Sequence, residues 1–136
     1  MRKIDLIVVH CSATREDQSY TVQQLIRDHA RRFGFTGYHY YITRDGEVIQ
    51  TRHENLVGAH ACNYNKHSIG VCYEGGINAK GEKADTRTRE QKAALWYLLK
   101  SLKLSYPSAK ILGHCELPHV SKHCPCFLAS KEYAAL

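Results

Sequence analysis

From Ile4 to His10 the chain is almost continuously apolar and then turns polar, the pattern of a central strand buried on both faces with His10 at its C-terminal end. Thr21-Val22-Gln23-Gln24 has the Ser/Thr-x-x-Glu/Gln form of a capping box. Val22, Leu25, Ile26, Ala30 and Phe33 then recur at helical spacing up to Gly34, which predicts an amphipathic helix. Tyr38 to Thr43 and Glu47 to Thr51 are rich in β-forming residues and flank Arg44-Asp45-Gly46, so a hairpin turning on Asp-Gly is expected. Ser68 to Tyr73 reads as a second buried strand closed by Gly75-Gly76, and the polar segment from Ile77 to Arg87 as a surface loop. A second capping box, Thr88 to Gln91, opens a helix whose Ala94, Leu95, Leu98, Leu99 and Leu102 form an apolar stripe stopped by Tyr106-Pro107. Lys110 to Gly113 is a short strand leading into His114. The order predicts one α/β domain over residues 1–136, a mixed β-sheet flanked by helices.

Size and composition agree with that reading: 136 residues suffice for one hydrophobic core, and 43% hydrophobic with 24% charged residues is ordinary for a globular chain. No stretch approaches the roughly 20 apolar residues of a membrane span, and the apolar run at the start is too short for a signal-peptide core. The expectation is a chain synthesised in the cytoplasm without an export signal, which reaches any wall substrate with the help of a separate lysis or secretion system. A net charge of +6 favours an anionic partner. The basic residues are dispersed and lack interleaved aromatics, so nucleic acid is not expected. Six cysteines without a secretory signal read as buried thiols plus a metal ligand rather than a disulfide framework.

His10 and His114 each follow a core strand, and the C-terminal ends of strands in α/β sheets are where ligands collect. Near the C-terminus, Lys122-His123-Cys124-Pro125 adds a thiol, and imidazole with thiolate is a donor combination that zinc favours. Three protein ligands leave a fourth position open to water. Alternatives stay open at this level: a structural zinc site, which wants four ligands commonly in close pairs, and a metal-independent cysteine hydrolase using Cys124 with a histidine.

Val9-His10-Cys11-Ser12-Ala13-Thr14, Gly37-Tyr38-His39-Tyr40, Gly58-Ala59-His60-Ala61, Asn65 to Val71 and Lys122-His123-Cys124-Pro125 occur in this order. Together they resemble the type 2 N-acetylmuramoyl-L-alanine amidases, a group that includes phage lysozyme amidases and animal peptidoglycan recognition proteins. The resemblance implies a zinc ion held by His10, His114 and Cys124, catalytic roles for Tyr38 and Lys122, and a groove for a peptidoglycan or muropeptide substrate. The implied reaction cleaves the amide between the lactyl group of N-acetylmuramic acid and the first alanine of the stem peptide. His60, Asn65 and His67, in the loop before the Ser68 strand, are expected to line the groove and bind peptide carbonyls and carboxylates. Since some recognition proteins keep the groove without catalysis, a binding module is the rival reading within the family. Such members typically lack the cysteine ligand.

The remaining candidates are read as bland: His29, His53 and His119 in water, Cys11, Cys62 and Cys72 as packed thiols, and the chain as a monomer. Two positions depart from the family pattern. Gly113-His114-Cys115-Glu116 stands where Gly-His-Arg-Asp is frequent, and Cys124-Pro125-Cys126-Phe127 where Cys-Pro-Gly-Phe is common, so Cys115 and Cys126 bring extra thiols toward the proposed metal.

Overall fold

A computed structural model describes residues 2–136. Its five-stranded sheet has the order β4-β3-β5-β1-β7, with β1 (Leu6–Cys11) central, β5 (Ser68–Tyr73) and β7 (Lys110–Gly113) parallel to it, and β3 (Tyr40–Ile42) parallel to β5. Only β4 (Val48–Gln50) runs antiparallel, as the return strand of the expected hairpin. Gly46 closes that turn at φ 88°, a conformation glycine adopts freely, and donates its N–H to Thr43 O at 2.8 Å.

Both capping boxes form. Thr21 and Gln24 cap α1 (Val22–Phe33), which ends on Gly34 in the left-handed region, and Thr88 and Gln91 cap α2 (Arg89–Ser105). Strand alternation sorts the core into two faces. Ile7, Val9, Ile69, Val71 and Tyr73 meet Leu95, Leu99 and Leu102 of α2 on one face, together with Ala129 of the short α3 (Ala129–Glu132). On the other face Val8 packs against Ala61 and Leu117, and Leu25 of α1 packs against Tyr41 and Cys72. Leu95 and Leu99 are fully buried, each contributing about 1.5–3 kcal/mol of transfer free energy.

The segment from Ile77 to Arg87 is not wholly loop. It begins inside β6 (Gly76–Ile77), which pairs in parallel with β2 (Thr14–Arg15) just beyond the end of β1. Two residues carry no period, so the pairing leaves no pattern in the sequence. Tyr38 and Thr43 also fall outside β3, which is shorter than expected.

Candidate metal centre and active site

The period of two along β1 places His10 with Val8 on the face away from α2, 1% exposed. β7 lies beside β1 with Val9 opposite Gly113, so the next residue, His114, arrives next to His10 and the two ring centroids are 4.6 Å apart. Cys124 comes from the loop after β7. Glu116 shapes that loop: it accepts the Gly113 N–H at 2.8 Å, the Ser130 N–H at 3.1 Å and the Ser130 hydroxyl. The Cys115 N–H also donates to Cys124 O at 2.7 Å, tying the start of the loop to its end.

One ligand atom from each of His10, His114 and Cys124 lies within 4.8 Å of the others, the group among the described residues that could hold a metal ion. His10 Nδ1 is 3.8 Å from Cys124 Sγ. Tetrahedral zinc bonds to nitrogen and sulfur imply a separation of roughly 3.6 Å, so the donor set and its spacing fit that ion. Burial, reinforced by the neighbouring His60, His114 and Lys122, pushes the His10 imidazole well below its usual range. Burial and then Lys122 lower His114 in the same direction. Both rings are therefore neutral at pH 7, the form a metal requires. The Cys11 N–H donates to Cys124 Sγ at 3.2 Å, a bond that strengthens when the sulfur is a thiolate.

Around these three the other candidates separate. Tyr38 packs its ring 5.1 Å from that of His10 and 5.0 Å from that of His29. Burial raises its phenol well above the ordinary value, so the hydroxyl keeps its proton. Lys122 is exposed, yet its charge reaches both His10 and His114, and it lines an open cavity of about 330 Å³ with Cys115, His123 and Cys126. His60 lies one layer behind the ligands: its Nδ1 is 2.9 Å from His10 Nε2 and its Nε2 is 3.1 Å from Ser68 Oγ. Asn65 holds the loop that carries it, with Oδ1 accepting the N–H groups of His60 and Ala61 at 2.9 Å each. His67 is not brought to the site. It precedes β5, at the opposite end of the sheet from His10, where it pairs with Asp5.

Two bland readings need correction. His29 is half-buried and accepts the Gly37 N–H at 2.8 Å, which fixes the turn leading into Tyr38. Cys62 is exposed rather than packed, whereas Cys11 and Cys72 are buried as expected. His39, beside Tyr38, accepts the Gly70 N–H on Nδ1 at 3.0 Å and lies 2.8 Å from Leu56 O through Nε2. It is structural.

The family model for N-acetylmuramoyl-L-alanine amidase matches residues 1–127. The chain belongs to that family. It is 41% identical over 124 residues to the endolysin of Escherichia phage T7, covering 90% of this chain and 81% of that one. It is 39% identical over 120 residues to the endolysin of Enterobacteria phage K11, covering 88% and 78%. Among solved structures, the N-acetylmuramoyl-L-alanine amidase LysC from Clostridium intestinale superposes with a TM-score of 0.79 at 28% identity, covering 97% of this chain and 83% of its own. Drosophila PGRP-LB shares the fold, with a TM-score of 0.73 at 21% identity over 99% and 80% of the two chains. Against this family background, Cys126 stands at φ 72°, which a glycine tolerates more easily, and its thiol is held 3.5 Å from Gly76 O. All six cysteines are free, and neither Cys115 nor Cys126 joins the ligand group.

Proposed function

We propose that this amidase hydrolyses the bond between N-acetylmuramic acid and L-alanine in peptidoglycan with zinc held by His10, His114 and Cys124. The observation that carries the reading is the convergence of those three side chains on one point, from β1, from the end of β7 and from the C-terminal loop. When bound, zinc supplies Lewis acidity and makes a water acidic enough to attack an amide near neutral pH.

The chain's own residues prepare the rest. A ligating Nδ1 on His10 puts that ring's proton on Nε2, where it donates to His60 Nδ1. His60 then carries its proton on Nε2 toward Ser68, so one relay of hydrogen bonds fixes both tautomers. The protonated Tyr38 hydroxyl donates to the oxyanion that develops on the scissile carbonyl, and the Lys122 ammonium, whose charge reaches His10 and His114, offsets the same charge. Loss of one such donor commonly costs about 3 kcal/mol, roughly a hundredfold in rate. The three ligand side chains all come from one chain, and the proposed enzyme acts as a monomer on wall or muropeptide.

The test is release of free L-alanine amines from purified peptidoglycan, with and without chelator, alongside Cys124→Ala. The proposal expects both treatments to abolish release and zinc to restore only the chelated native protein. Activity that survives chelation but not thiol alkylation points to a cysteine hydrolase instead. Binding of wall fragments with no release under any condition identifies a recognition module.

A further inference from the structure

Among the described residues, nothing covers the outward face of α2. Leu95, Leu99 and Leu102 turn into the core, and the opposite side presents Trp96, Tyr97 and Leu104, which are 40%, 70% and 78% exposed. Arg89, Lys92 and Lys100 share that side, and none of the three forms an ion pair among the described residues. Lys100 Nζ sits 4.8 Å over the Trp96 ring, which meets Tyr97 edge to face at 5.2 Å. Glu90, at the first turn, is the only acidic residue of the helix.

We infer that this face docks the protein on an anionic lipid bilayer. Amphipathic aromatic rings favour the headgroup boundary, and a helix lying in that plane combines apolar burial with cations aimed at lipid phosphates. The charge complementarity selects the occupant. A second copy of the chain would set like charges against each other, and a soluble anionic polymer offers nothing for Trp96, Tyr97 and Leu104 to enter. The face lies across the sheet from His10, so docking leaves the metal centre directed away from the bilayer.

Trp96 is the only tryptophan, so its fluorescence reads this face alone. Phosphatidylglycerol/phosphatidylcholine vesicles are expected to shift its emission to the blue and protect it from acrylamide, while phosphatidylcholine vesicles do neither. The Lys92→Glu/Lys100→Glu double variant is expected to reduce co-sedimentation with the anionic vesicles at least about tenfold. Its circular dichroism and its activity on soluble muropeptide should be unchanged. Tyr97→Ser/Leu104→Ser, with charge retained, should weaken binding independently. The inference is overturned by absence of binding, by binding that leaves Trp96 emission unmoved, or by binding that both double variants retain. A shift seen with soluble anionic wall polymer but not vesicles, or with protein concentration alone, also overturns it by assigning the face to polymer or to self-association.

Discussion

His60 has both ring nitrogens committed, one to His10 and one to Ser68, and burial pushes its imidazole down to about 3. A ring so placed positions a metal ligand more directly than it contacts substrate. His60→Ala is therefore expected to weaken zinc affinity by about 10–100-fold, measured by competition with a chromophoric chelator. Unchanged zinc affinity with a raised KM would return His60 to the groove. The same burial makes stability depend on pH. His10, His60 and His114 all titrate lower in the folded state than the ordinary value near 6.5, so between about 6.5 and about 3 the unfolded chain binds more protons. Their contribution is complete above that window and is lost as pH falls through it. The thermal midpoint of metal-free protein should drop from pH of about 7 to about 4.5, and drop less steeply in His60→Gln. A flat profile would show that the rings are solvated. For Tyr38→Phe, kcat on muropeptide should fall roughly a hundredfold with zinc content intact, because only the donor is removed.

Strands and helices reach the site through small residues and caps. A Cβ on Gly70 of β5 would lie 2.7 Å from ring atoms of His60, closer than real contacts allow, so the loop carrying His60 sits directly on this strand. Gly70→Ala must displace either the strand or the ring. It is expected to lower both thermal stability and zinc affinity, whereas Gly81→Ala, in open space but at φ 82°, should strain its own turn and leave zinc affinity alone. Equal zinc affinity in Gly70→Ala and the native protein would mean that the His60 loop is not held by this contact. At α2, Gln91 does more than cap. Its side chain accepts the Thr88 N–H at 3.0 Å while its amide donates to Ile42 O and Glu74 O at 3.2 and 2.9 Å, fastening the helix to β3 and to the end of β5. The box Thr88 to Gln91 was legible from spacing alone. The sheet contacts were not, since Ile42 is 49 residues from Gln91.

Across the whole molecule, Arg87 closes the C-terminal region onto the core. Its guanidinium donates to Asp85 and Glu132 and to the Tyr133 hydroxyl, and stacks 3.4 Å from the Phe127 centroid. Burial works against its charge, but the two carboxylates outweigh that and raise its pKa. Both carboxylates keep some solvent, so Arg87→Ala is expected to cost about 2 kcal/mol, below the range for a fully enclosed pair. Because Phe127 follows Cys124 closely, zinc affinity should fall with it. Denaturant unfolding and zinc titration check the two effects. The sequence by itself determined the elements whose information is local: both capping boxes, the Asp-Gly hairpin, the β5 run and the donor types at His10, His114 and Cys124. It also carried the family, through five short motifs in register. Only the tertiary structure decided what the loop residues do. It set His60 behind the metal ligands, used Asn65 to pin that loop, left His67 at the far end of the sheet and joined β2 to β6. The physical reason is that hydrophobic period and capping repeat over a few residues, whereas the site is assembled by contacts such as His10 with His60, 50 residues apart, and Cys11 with Cys124, 113 apart, and even the short-range bonds from Asn65 to the His60 loop follow an irregular backbone that no period encodes.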